Sequence, residues 1–312
     1  DTATNAKYVI PSMKPYKAIN FLSTHCKSGK YNNAGYLFYE TSQGFHFRSL
    51  ESMLAMGGAV ARPTVWNFQS QVVQTQDTKK PEVKDIQRRM QTVIKYEFGK
   101  QVDALENIKN GLYANRLVVH DAFNKTIKTH DFNYQDNFEK GYHTESIGQE
   151  DDTVKGIVPD TQLNDTGKGL YEFPDAKKMV VTETSKIHND FEFTPAKDTI
   201  PKITSQRIGY RNMNMSLLVY GNTSLNAGDI INFNVPVMQP GETPSVNPYT
   251  SGRYLIMAIK HTIAVTTNNH TMVLRCLKDS VRTPYPSEED ALLVGKDNTS
   301  EINIYEQDIT EL

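Results

Sequence analysis

With 312 residues, 38% of them hydrophobic and 22% charged, the chain carries enough apolar material for two domains with real cores, which excludes a single small module and an intrinsically disordered polymer. Its 34 basic and 36 acidic residues leave a formal net charge of -2, so no long-range field draws in nucleic acid or anionic lipid. No run approaches the roughly 18 apolar residues of a membrane span, and the opening Asp1-Thr2-Ala3-Thr4-Asn5-Ala6, polar and without Met, reads as neither a signal peptide nor a natural start.

Residues 1–15 are expected to be an extended lead-in, with a preceding domain missing. Pro15 suits the first position of a helix, and Tyr16, Ile19, Leu22 and Cys26 fall at helical spacing before Ser28-Gly29-Lys30 stops it. Two aromatic-rich runs, residues 35–40 and 45–48, flank Thr41-Ser42-Gln43-Gly44 and predict a β-hairpin. Ser49 is placed to cap a short helix through Leu50, Met53 and Leu54. Helical spacing of Val83, Ile86, Met90 and Val93 predicts a helix over 81–93, and a second is expected from Val102 to Leu112 with Gly111 near its exit. Residues 116–123 and 126–132 read as a hairpin turning on Asn124-Lys125.

Residues 136–200 are polar, with one clear strand at 178–182, and are expected to be an insertion or connection. The strongest β pattern follows. Residues 213–220, 230–236, 253–265 and 271–277 read as four strands of a half-barrel or small barrel spanning 201–283. The segment 284–312 reads as a polar tail. The expected fold class is α+β: an α+β domain with an antiparallel sheet over 16–135, then an antiparallel β-barrel domain.

The search for reactive constellations yields no catalytic, cofactor-binding or metal-ligating residues. The eight histidines (25, 46, 120, 130, 143, 188, 261 and 270) form no HxH or HExxH spacing. His120 and His130 are expected on facing strands as a cross-strand polar pair. No GxSxG is present, and Thr166-Gly167-Lys168-Gly169-Leu170 lacks the first glycine of a phosphate loop. Glu145, Glu150, Asp151 and Asp152 form the densest acidic cluster and read as a solvated charged face. Arg88-Arg89 and Lys79-Lys80 lack the interleaved aromatic residues of a single-strand binder. Cys26 and Cys276 are expected to be reduced, buried thiols.

Three places carry a family resemblance. Residues 8–22 running on into 33–40 resemble the helix and hairpin that open the second domain of baseplate hub proteins of contractile-tailed bacteriophages. Gly111-Leu112-Tyr113-Ala114-Asn115-Arg116-Leu117, with Asp121 and Asn124-Lys125, resembles a later loop and strand of that domain. Residues 217–231, then 251–256 and Ile259-Lys260-His261, are similar to the tube barrel of those hubs and of type VI secretion spikes.

The resemblance implies a structural virion protein with no enzymatic activity and no cofactor. It implies a homotrimer whose ring joins the tail tube or tube-initiator protein above to the spike protein below. Genomic DNA or a tape measure passes through such a ring without sequence-specific binding, and no membrane insertion is implied. The chain departs from the family in holding one tube barrel; the other would precede Tyr8. Two rival expectations are a tail-associated peptidoglycan hydrolase, with its site inside 134–200, and a receptor-binding tail module.

Overall fold

The computed structural model describes residues 2–3, 9–31, 33–55, 65–70, 90–99, 102–122, 124–146, 153–157, 169, 172–181, 195–237 and 245–283. Asp1–Arg282 form one compact unit; Thr283–Leu312 form a second, of which Thr283 alone is described. Helix α1 (Pro15–His25) starts on its proline, and its exit residue Cys26 is extended. Strands β1 (Tyr36–Thr41) and β2 (Gly44–Ser49) pair antiparallel across Ser42-Gln43, with Gly44 at φ 122°. The Ser49 hydroxyl accepts the Ser52 N–H and caps α2 (Leu50–Leu54).

Strands β3 (Val65–Ser70) and β4 (Thr92–Phe98) come next. The helix expected over 81–93 lies outside the described residues from 81 to 89, and its last two residues belong to β4. The run Thr92-Val93-Ile94-Lys95-Tyr96-Glu97-Phe98 is rich in β-branched and aromatic residues, which favour a pleated surface over the helical spacing. Helix α3 (Ala104–Asn110) is capped by Asp103, whose carboxylate accepts the Glu106 N–H, and it ends on Gly111 in the left-handed conformation.

Strands β5 (Ala114–Asp121) and β6 (Thr126–Asn133) form the expected hairpin, with Lys125 rather than Asn124 at positive φ. After α4 (Gln135–Phe138) and the short β7 (Lys155–Gly156), β8 (Ala176–Val181) joins β5 in parallel. The second sheet is therefore mixed, β6-β5-β8, where an antiparallel one was expected. Its third strand comes from the segment read as an insertion.

Helix α5 (Ala196–Gly209) covers the β5 side of that sheet. The sequence reading ran the barrel back to 201, because the polar composition and the internal Pro201 of this helix hide its period. Buried hydrogen bonds hold it instead. Ser205 Oγ donates to the Leu112 carbonyl at 2.7 Å, and Asn115 Nδ2 donates to the Pro201 carbonyl at 3.3 Å.

The remaining strands are β9 (Met213–Tyr220), β10 (Ile230–Asn234), β11 (Pro236–Val237), β12 (Ser245–Val246), β13 (Gly252–Ala264), β14 (Asn269–Lys278) and β15 (Ser280–Val281). Six strands close into a barrel in the order β10-β13-β14-β9-β4-β3. The four expected strands are antiparallel; β3 then pairs in parallel with both β4 and β10 and shuts the ring. The barrel thus takes two strands from residues 16–135, across the boundary expected near 200.

Strict alternation builds the interior. Met215, Leu217 and Val219 of β9 lie opposite Cys276, Leu274 and Met272 of β14, and all six are buried. Ile231, Phe233, Tyr254 and Ile256 fill the rest, and the Tyr96 and Phe233 rings meet at 5.5 Å. The outer face of the same wall is also apolar where Ile230, Leu255 and Leu277 stand in register. There α2 lays Leu50, Met53 and Leu54, while β1 adds Leu37 and Tyr39. Replacing Leu217, fully buried in the barrel, by Ala is expected to cost about 2–5 kcal/mol in urea unfolding.

Candidate functional site

A desolvated cluster of charges lies where the segment 141–146 meets the starts and ends of the barrel strands. Its anchor is Lys278, which continues the inward alternation Met272, Leu274, Cys276 to the end of β14 and is 1% exposed. The ammonium group cannot reach water, so it bonds the Glu145 carboxylate at 2.8 Å and donates to the Ser251 carbonyl. Glu145, 4% exposed, also accepts the Arg253 N–H at 2.8 Å, and Arg282 Nε lies 3.5 Å from its other oxygen. Burial pulls the Lys278 pKa below its ordinary value, opposed by the Glu145 charge.

A second pair lies beside the first. His143 Nδ1 is 2.7 Å from Asp279 Oδ2, and His143 Nε2 is 2.8 Å from the Phe138 carbonyl. Asp279 also accepts the Thr144 N–H and the Thr144 hydroxyl, both at 2.9 Å. Burial disfavours charge on His143, but the Asp279 carboxylate overrides it and raises the imidazole pKa. Burial likewise works against Asp279, and the His143 charge with the Thr144 hydrogen bonds holds that carboxyl below its ordinary range. Because both ring nitrogens face acceptors, the group is a buried imidazolium–carboxylate pair. His143 has no free nitrogen with which to activate a hydroxyl, and the Thr144 and Ser280 hydroxyls bond each other at 3.1 Å.

Packing around the cluster is close. Gly252 sits at φ 116°, and a Cβ there would stand 2.0 Å from Glu145 Oε1. The Phe138 and His143 rings stack at 3.7 Å. Arg253 donates to the Ser146 carbonyl at 2.6 Å; its buried Nε and Nη2 have no partner among the described residues.

Glu51 of α2 stands next to this cluster, almost fully buried, accepting from the Asn33 side-chain amide and the Tyr142 N–H. Burial raises its pKa from 4.5 to about 7, against the pull of those hydrogen bonds and of His143 and Lys202. A neighbouring cleft of about 270 Å³ is lined by Asn33, Tyr134, Phe138, Lys140, His143 and Lys202 among others.

Exposed apolar surface lies elsewhere. The outer half of β13 runs past its pairing with β10 while staying paired to β14; Met257 and Ile263 on it, and Val265 just after it, are 51%, 68% and 81% exposed. The outward face of β1–β2 carries Phe38, Phe45 and Phe47, with Tyr16 of α1 edge-on to Phe38 at 5.8 Å.

The acidic cluster read as solvated is corrected at Glu145, which is buried in the ion pair with Lys278; Glu150, Asp151 and Asp152 lie outside the described residues. His120 and His130 do not pair. His130 stands opposite Leu117 and His120 opposite Ile127, so an odd offset sends the two imidazoles to opposite faces. Arg88-Arg89 and Lys79-Lys80 also lie outside the described residues, as do residues 166–168. Cys26 and Cys276 are free thiols, the first half-buried and the second buried, and burial raises both pKa values. Sequence reasoning missed Lys278, Asp279, His143, Arg253 and Glu51; only Lys278, a cation ending a buried alternation, carried a signal. Among the described residues no group of three or more His, Cys, Asp or Glu is placed to hold a metal, and no helix is long and apolar enough to cross a membrane.

Replacing Lys278 by Met strands the Glu145 carboxylate and is expected to cost about 3–5 kcal/mol, read by chemical denaturation. Glu51 binds a proton in the folded chain over a range where the unfolded chain has lost it. Stability therefore falls as pH rises from 4.5 to about 7. Glu51→Gln removes that cost: thermal unfolding should occur at higher temperature than in the native chain at neutral to alkaline pH, with the gap closing towards acid.

No protein-family model matches the chain, and no curated protein matches its sequence. Among solved structures it is similar to the crystal structure of the tail protein from Neisseria meningitidis MC58, at 9% identity and a TM-score of 0.38. That alignment covers 88% of this chain and 57% of the other, so the chain spans little more than half of the length of that neighbour.

Proposed function

We propose that the chain is a structural virion protein, a baseplate hub subunit of a contractile tail, made in the host cytoplasm and placed between tail tube and spike. The observation that carries this reading is the apolar outer half of β13 with the residue after it, which runs on into solvent beyond the end of its pairing with β10 at Leu255. A lone soluble chain rarely leaves Met257, Ile263 and Val265 to water on one projecting element, whereas an assembly buries them.

The closed barrel sets how copies can meet. Its ring of strand pairings is closed, so contact runs mainly through side chains on its faces and along the outer half of β13, where the pairing with β10 has ended. A filled interior suits a wall element: the barrel is a solid stave, and a channel would run between copies. The resemblance of residues 217–231 and 251–261 to hub tube barrels supports the same arrangement, since those segments form β9, β10 and β13. The homotrimer and the contacts with spike and tube belong to this proposal. So does the reading of the chain as non-enzymatic: the Thr144 and Ser280 hydroxyls bond each other, and the His143 imidazole is held by Asp279 and the Phe138 carbonyl.

Light scattering and native mass spectrometry test it. The full-length protein, alone or with its neighbouring tail proteins, should form a trimer, and Ile263→Glu with Val265→Glu should leave folded monomers. A chain that stays monomeric beside all its tail neighbours would end this reading.

A further inference from the structure

The β13–β14 hairpin carries a second feature, independent of the hub reading. His261 of β13 and His270 of β14 are diagonal neighbours on one face, because His261 stands opposite Met272 and His270 opposite Ile263. Their rings lie 5.3 Å apart, with His261 Nδ1 3.1 Å from His270 Nε2, in a solvent-exposed position. We infer that these two nitrogens form a clip for a divalent transition-metal ion.

The nitrogen separation suits such an ion; the rings, nearly head-on at 5.3 Å between centroids, turn to aim both lone pairs at it. Two imidazole nitrogens bound at about 2.0–2.1 Å, with an angle between square and tetrahedral, stand about 2.8–3.4 Å apart. The observed separation of 3.1 Å falls inside that window. In the metal-free chain the same contact is a hydrogen bond in which one ring nitrogen donates to the other. Binding an ion moves that proton to the other nitrogen of its own ring, so that both lone pairs can face the metal.

Placement of His270 is enforced by the backbone. The Gly221 N–H donates to the His270 carbonyl at 2.8 Å, and a Cβ on Gly221 would stand 2.0 Å from the His270 ring. Only glycine leaves room for the imidazole there. The same-face neighbours Ile259, Ile263, Met272 and Val219 carry no charge to repel a cation. No third His, Cys, Asp or Glu completes the set among the described residues, so water takes the other positions. Imidazole donors with open, water-filled positions suit Zn²⁺, Cu²⁺ or Ni²⁺ rather than Mg²⁺ or Ca²⁺.

The test uses the tag-free full-length protein. Titration with Zn²⁺ in a calorimeter at neutral pH should give saturable binding of one ion per chain. His261→Gln and His270→Gln should each remove it while circular dichroism stays unchanged. Stoichiometric Cu²⁺ should give an electron paramagnetic resonance spectrum with hyperfine structure from two nitrogens, reduced in either variant. Absence of Zn²⁺ binding in the native chain, or equal binding by the native chain and the doubly substituted His261→Gln/His270→Gln protein, overturns the inference. A shift in oligomeric state without loss of metal would bear on the hub reading alone.

Discussion

The desolvated ion pair of Lys278 and Glu145 constrains everything around it. Two charges taken out of water remain tolerable only while each is matched, so the segment 141–146 must lie against the end of β14 wherever the barrel is folded. Asp279 and His143 repeat the requirement one residue further on. Together the two pairs fix a polar loop that has little apolar surface of its own to hold it. They also explain Gly252, where any side chain would displace the Glu145 carboxylate.

The barrel supplies the scaffold on which that constraint acts. Its interior is filled by aliphatic, thioether and aromatic side chains, and part of its outer wall is covered by α2 and the first hairpin. One wall therefore has two dry faces over Ile230, Leu255 and Leu277, while β13 runs on into solvent at its other end. That gradient along β13, from buried at 253–256 to exposed at 260–263, separates the part of the molecule devoted to its own stability from the part available to other molecules. The histidine clip sits on the second part, where an ion or a neighbouring chain can reach it.

Local signals accounted for much of the fold. The α+β class, the helix on Pro15, the two hairpins, the Ser49 cap, the Gly111 exit and the four strands from 213 to 278 were all legible from composition, period and turn chemistry. What escaped had competing or weak local signals. Residues 92–93 had both helical spacing and β-branched composition, and barrel closure decided between them. Helix α5 carries a proline and few apolar residues, so its hydrogen bonds to Leu112 and Asn115 and its packing through Ile203 and Ile208 hold it, and neither is marked locally.

The charge cluster was the least legible part. Glu145 and Lys278 are separated by more than a hundred positions, and neither has a neighbour in sequence that marks it as a partner. The sequence by itself determined periodicity, turns and caps, because these depend on residues within a few positions of one another. Closure by two parallel strands, the pairing of buried charges and the meeting of His261 with His270 depend on which distant surfaces are brought together. Those were decided only when the whole barrel packed, since the free energy of burying a charge or sealing a sheet belongs to the assembled core and not to any segment of it.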